Sequence, residues 1–194
     1  MNKIHLILIL NWIFYCIFHS LLADNRVKIF FSGHLKSGLT LYRFIYNVIA
    51  LLWLIALVYF HLTIDSQILF RVNVYTNLIA GIAVLAGAGI MMVCIKKYFN
   101  QLSGLQDQAK TEKLQTNGLH QWVRHPLYFG TFVFLIGLVL MFPQLKNLLA
   151  VVIIISYTLV GTLLEEKKLI IQFGKDYIEY KKIVPMIWPR IKLW

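Results

Sequence analysis

Two stretches of this sequence hold side chains that could do chemistry, and each stands at the edge of an apolar run. In QWVRHPLYFG, residues 121–130, Arg124, His125 and Pro126 directly precede a hydrophobic segment, with Tyr128 inside its first turn. Proline suits the first turn of a helix, where its missing N–H is not needed. The free N–H groups of that turn and the helix dipole favour an anion. Arg124 and His125 add donors beside them. The same residues also fit plain anchoring, with Arg124 reaching phosphate headgroups and Trp122 and Tyr128 in an interfacial belt. The motif by itself leaves both readings open.

The second stretch, TLLEEKKLIIQFGKDYIEYKK, begins in one apolar run and leaves it. Thr158, Thr162 and Glu165 fall at i, i+4 and i+7, on one face of a helix. A carboxylate on a polar stripe at a span end is expensive facing lipid, so Glu165 is expected to face the bundle. Glu166 is expected to pair with Lys168 and other lysines on a solvated face. Beyond them Leu169, Phe173, Tyr177 and Tyr180 recur at helical spacing, as in an amphipathic segment on the membrane or over a pocket. A third set lies near the start of the chain: Asn11, Tyr15 and His19 at i, i+4 and i+8. Intramembrane polar residues on one face mark a site by default, and interhelical hydrogen bonding is the alternative. His19 stands at about the depth of His125.

The elements that position these residues are membrane spans. The chain has 194 residues and is 59% hydrophobic, with a mean hydropathy of +0.71; soluble domains are about half apolar. Apolar runs cover 4–22, 41–62, 75–95, 127–142 and 148–164. A spanning helix takes roughly 17 to 25 residues. The last two runs are short and joined by FPQLKN, which predicts a helical hairpin whose first arm ends near Pro143. The expected architecture is all-α, a polytopic membrane protein of about five spans with a C-terminal amphipathic segment, in one domain over 1–194. The first run continues too far for a secretory signal and lacks an A-x-A-like cleavage site, so it is expected to be retained. Small residues in AGIAVLAGAGI predict close helix packing rather than a phosphate loop. Cys16 and Cys94 both lie inside apolar runs, which gives neither a disulfide framework nor metal-ligand spacing.

The net charge of +11 follows topology, not nucleic acid. With five spans, one side receives Arg26, Lys28, Lys36, Arg43, Lys96, Lys97, Lys110, Lys113, Arg124 and the lysines and arginine of the tail, against Lys3, Arg71 and Lys146 on the other. That is sixteen against three. The positive-inside rule then puts the N-terminus outside and the C-terminus in the cytoplasm, with basic groups meeting anionic lipid.

The pairing of GLHQWVRHPLYFG with EEKKLIIQFGKDYIEYKKIVP resembles the isoprenylcysteine carboxyl methyltransferase superfamily, which includes phospholipid N-methyltransferase-like enzymes. The resemblance covers about the C-terminal half. FHSLLADNRVK, YRFIYN and VPMIWP look most like its nurim and methanethiol S-methyltransferase branch. It implies an S-adenosylmethionine site at the cytoplasmic end of the last two spans, within about residues 96–194. By motif, the cofactor contacts come from Lys113, Leu114, His125, Tyr128 and Glu165. Arg124 and Pro126 share that helix mouth. His120 is counted with them, although it stands where prenylcysteine enzymes carry a tyrosine, and Glu112 where a histidine can stand. Gly161 occupies the place of an arginine that holds the substrate carboxylate in those enzymes, which argues against a carboxyl acceptor.

The implied chemistry is an in-line displacement at a methyl group, with no metal and no enzyme nucleophile. Positioning of two reactants can contribute roughly 7 to 11 kcal/mol. Tyr128 would hold the sulfonium. A thiol must lose its proton to react, and His19 is the expected base. The acceptor is expected to be a small apolar thiol. A phospholipid amine, a prenylated cysteine or a non-catalytic nurim-like scaffold are the alternatives. A transporter is disfavoured because no acidic or basic side chain stands at mid-membrane. Nothing in the sequence sets the oligomeric state.

Overall fold

A computed structural model describes residues 2–24, 27, 29–30, 38–102 and 113–190. Arg26, Lys28, Lys36, Lys110, Glu112 and Lys192 lie outside the described residues. The chain folds as helices: α1 (Lys3–Ala23), α2 (Gly38–Thr63), α3 (Val74–Leu102), a 3₁₀ turn (Gly118–Gln121), α4 (Pro126–Met141), α5 (Leu145–Phe173) and α6 (Lys175–Ile183). Among the described residues there is no strand, only an isolated bridge between Ile68 and Gln144. Among the described residues four helices are long and apolar enough to cross a membrane, over Lys3–Leu22, Leu41–Thr63, Val74–Lys97 and Leu145–Phe173. The fourth apolar run forms α4, a shorter apolar helix of 16 residues. α5 starts earlier and ends later than the run at 148–164, and it has 29 residues. At 1.5 Å per residue it is roughly 43 Å long against a hydrocarbon thickness of about 30 Å. Its last turns, with Glu165 and Glu166, therefore have length to stand beyond the apolar layer.

Two compact units divide the chain, Met1–Leu69 with Gln144–Ile154, and Phe70–Pro143 with Ile155–Trp194. The first packs Leu8, Trp12, Leu57, Ile64 and Ala150 into a core. At its edge the Ser66 hydroxyl contacts His5 Nε2 at 3.0 Å and accepts the Lys146 N–H at 2.9 Å. Lys146 Nζ donates to the Ile64 carbonyl at 2.7 Å, just past the end of α2. Lys146, read from sequence as a loop charge, is buried. The carbonyls at a helix C-terminus attract a cation, which gives the ammonium a partner there.

The second unit contains both chemical stretches. α3 and α4 approach through glycine, and the small-residue pattern in α3 does what its spacing predicts. A Cβ at Gly87 would lie 2.5 Å from the Phe134 nitrogen and 2.7 Å from the Gly130 oxygen, whereas one at Gly89 would meet nothing within 4 Å. Gly130 and Gly137 leave similar space for Ile90 and Val84. α4 is thus held against α3 along its length. After α5, Gly174 at φ +57° turns the chain into α6, whose Tyr177 and Tyr180 pack with Val184, Leu169, Ile170 and Phe173.

Candidate functional site

Pro126 opens α4 at its first position, and His125 is the N-cap residue without a side-chain capping bond. Three of the residues singled out by motif meet there. The Tyr128 hydroxyl donates to Glu165 Oε2 at 3.1 Å. The His125 and Tyr128 rings stack at 5.7 Å with 18° between planes. His125 Nδ1 lies 3.8 Å from Glu165 Oε2. Glu165 keeps 45% of its side-chain surface exposed, while His125 is 6% exposed. The constellation therefore has an enclosed side at the imidazole and an open side at the carboxylate.

The enclosed side belongs to Glu166. Its side chain is 4% exposed and its Oε1 lies 2.6 Å from Arg124 Nη2, with Oε2 2.8 Å from Lys181 Nζ. Arg124 Nε donates to the same Oε1 at 2.6 Å. Arg124 Nη1 donates to the carbonyls of Lys181, at 3.1 Å, and Val184. His125 Nε2 comes within 3.4 Å of Glu166 Oε1. That approach lacks the alignment of a hydrogen bond, and Nε2 is buried with no hydrogen-bond partner.

Two sequence expectations are corrected here. Glu166 does not lie on a solvated face with Lys168; it is the buried glutamate, and Glu165 is the half-exposed one. Thr162 and Glu166 stand one turn apart, and both are buried, so this edge of α5 is the packed edge. Burying a carboxylate is tolerable because Arg124 and Lys181 neutralise and hydrogen-bond it. Arg124 is the other correction. Its guanidinium is turned inward to Glu166 and to tail carbonyls, so it neither snorkels nor extends its donors into an open mouth.

The RHP segment is also stapled by backbone. Arg124 N donates to the Pro185 carbonyl at 2.9 Å and His125 N to Met186 at 3.1 Å. The Tyr180 hydroxyl donates to the His120 carbonyl at 2.6 Å. His120 contacts the Arg124 carbonyl through Nδ1 at 3.0 Å. Burial lowers the His120 pKa below its usual value, against the opposing pull of that carbonyl. For His125 burial again dominates and lowers the pKa, opposed by Glu165 and then Glu166 and reinforced by Arg124. Both rings are thereby held towards the neutral form.

The remaining predicted residues separate. Lys113 is exposed and Leu114 packs on the tyrosine cluster of α6. His19 belongs to the other unit, where it stacks on Tyr15 at 6.0 Å and stands 6.2 Å from Tyr46. Against Pro126, on its apolar side, Ile90, Trp122, Val123 and Phe129 line a pocket of about 140 Å³. Among the described residues no cluster of His, Cys, Asp and Glu is arranged for a metal. Sequence reasoning missed Lys181 and the tail carbonyls, because basic residues abound in the tail and none is marked by spacing.

A family model described as phospholipid methyltransferase matches residues 75–176, from α3 to the start of α6. The chain belongs to this family. Relatives agree with that placement. The chain is 30% identical over 132 residues to the protein-S-isoprenylcysteine O-methyltransferase of Rattus norvegicus, covering 62% of this chain and 46% of that one. To the methanethiol S-methyltransferase of Crocosphaera subtropica it is 37% identical over 79 residues, covering 41% and 30%. The chain spans less than half the length of these curated relatives. No solved structure matches it. His125, Tyr128, Glu165 and Glu166 all fall within the family match; Lys181 lies beyond it. With its long apolar helices, the chain is a multi-pass membrane protein of a methyltransferase family.

Proposed function

We propose that the protein is an integral membrane methyltransferase that uses S-adenosylmethionine and methylates the sulfur of a small apolar thiol. The observation that carries this reading is the convergence of His125, Tyr128 and Glu165 at the mouth of α4. When bound there, S-adenosylmethionine would supply a methyl group on a sulfonium.

The residues present fit such a molecule. An uncapped helix N-terminus suits its carboxylate. The half-exposed Glu165 suits its ammonium or hydroxyls, and the Tyr128 ring suits its cationic centre. Lys113, Leu114 and His120 are assigned to the outer part of the same proposed site by motif alone. Arg124 and Pro126 shape it from within, Arg124 by holding Glu166 and the tail.

The acceptor is assigned on two grounds. Gly161 stands one turn before Glu165 and supplies no cation, and a Cβ there would meet nothing within 4 Å. A buried carboxylate without a partner is costly to bind, whereas a thiol enters an apolar space uncharged. The methanethiol S-methyltransferase relative acts on a small thiol by its name. A thiol needs a base, and two histidines compete for that role: His19, by its depth in α1, and His125, inside the constellation itself.

In this reading residues 1–194 act as one membrane domain. α4 is a fifth span in hairpin with α5, α6 is amphipathic at the membrane surface, and the site faces the cytoplasm with the N-terminus outside. Purified protein should transfer label from S-adenosylmethionine to simple thiols in preference to amines and carboxylates. His125→Ala and Glu165→Ala should each weaken calorimetric binding of that donor strongly. Unchanged affinity in both variants removes the site. Preferred transfer to a prenylated cysteine or a lipid amine replaces the acceptor and keeps the methyltransferase.

A further inference from the structure

Each ring nitrogen of His125 has a different carboxylate near it. Nε2 is enclosed and lies 3.4 Å from Glu166 Oε1; Nδ1 lies 3.8 Å from Glu165 Oε2, on the side where Glu165 is half-exposed. A neutral imidazole has one N–H. The negative charge of the closer, enclosed Glu166 favours it on Nε2, through the field and without an aligned hydrogen bond, and leaves the Nδ1 lone pair on the side of the half-exposed Glu165. From this geometry we infer that His125 is the base of the methyl transfer, taking the acceptor's proton on Nδ1, with Glu166 as the residue that positions the ring. The inference rests on the methyltransferase reading and deepens it, because it requires an acceptor that has a proton to give.

The step balances in atoms and charge. The acceptor's S–H bond breaks and its proton goes to His125 Nδ1. The sulfur lone pair forms the new bond to the methyl carbon, and the electrons of the old carbon–sulfur bond neutralise the sulfonium. The site thus loses one positive charge at sulfur and gains one at the imidazole. The surrounding field need not reorganise, which is how preorganised charge lowers a barrier. The imidazolium would then stand between two carboxylates, Nδ1 3.8 Å from Glu165 Oε2 and Nε2 3.4 Å from Glu166 Oε1. A carboxylate acceptor releases no proton and would give this arrangement no task.

The charged and titratable groups around the ring are Glu165 and Glu166 on α5, Tyr128 on α4, Arg124 and His120 before α4, and Lys181 on α6 behind Glu166. Arg124 opposes the imidazolium, and the two glutamates support it. Burial also opposes it. Removing the charge of either glutamate therefore moves the His125 titration to lower pH.

The test follows the imidazole by NMR in detergent-solubilised protein without any ligand. It compares wild type, Glu165→Gln and Glu166→Gln, and measures the pH dependence of single-turnover transfer to a thiol in the same variants. Glu165→Gln leaves the Arg124 pair intact, so it stays informative if Glu166→Gln fails to fold. An opposite charge within about 4–6 Å shifts a pKa by roughly one unit or more. The His125 midpoint is expected to fall by about one pH unit in Glu165→Gln, with the acid limb of the rate falling equally. His19→Ala should leave both unchanged. The inference is overturned if the acid limb fails to follow the His125 midpoint, or if it disappears in His19→Ala. If no acceptor is methylated at any pH, the methyltransferase reading itself falls, an outcome the NMR titration identifies separately.

Discussion

Two glycines in α3, two residues apart, should respond oppositely to the same substitution. Gly87 and Gly89 belong to one helix, so a methyl group at either adds the same helix propensity, about 1 kcal/mol in favour of alanine. They differ only in what the methyl meets. At Gly87 it would stand 2.5 Å from the Phe134 nitrogen, 2.7 Å from the Gly130 oxygen and 2.8 Å from the Phe134 Cα. These are backbone atoms of α4, so no side-chain rotation relieves them and the helices must separate. Overpacking of this kind costs about 1–3 kcal/mol. At Gly89 the methyl meets nothing within 4 Å. Propensity cancels in the comparison, leaving a difference of about 1–3 kcal/mol between the variants. For a chain of this size each kcal/mol moves Tm by roughly 2–4 °C. Gly87→Ala should therefore melt about 2–12 °C below Gly89→Ala in one detergent by differential scanning fluorimetry. Because His125 is the N-cap of α4 and Tyr128 lies in its first turn, Gly87→Ala should also weaken donor binding, with Gly89→Ala unaffected. Equal melting of the two variants would refute the close α3–α4 approach and with it the account of how α4 is held.

Glu166→Ala should destabilise the protein by about 3–5 kcal/mol, because it leaves Arg124 buried without its carboxylate; Glu165→Ala, at a half-exposed position, should cost under about 1 kcal/mol in the same denaturation assay. Acid should also weaken the fold through His120 and His125. Burial lowers both pKa values below the usual 6.5, so the unfolded chain binds more protons between the folded values and 6.5. Stability then rises with pH through that window. Tm in detergent should be level above about pH 7 and fall as pH drops below 6.5, and replacing both histidines with glutamine should flatten that slope.

The membrane class, the helical composition and most span positions follow from local chemistry that a sequence displays directly. An apolar run long enough to span must satisfy its own backbone, and a helix does so without any distant partner. Pro126 at the start of α4 and the packing glycines of α3 were legible for the same reason, since each acts on its own element. The meeting of His125, Tyr128 and Glu165 was reached through motif resemblance, and the distances that join them come from the fold. Which of two adjacent glutamates is buried was decided by tertiary structure. Glu165 and Glu166 differ by about 100° around a 3.6-residue helix, and both fit a stripe with Thr158 and Thr162. Only the rotation of α5 against its neighbours selects Glu166. Arg124 was opaque for a related reason: its partners lie 42, 57 and 60 residues away, and two of them are backbone carbonyls, which every residue possesses. Lys146 likewise read as a loop charge until the end of α2 supplied its carbonyl. Periodicity reports the face a helix offers, and packing against distant segments decides which edge of that face is closed to water.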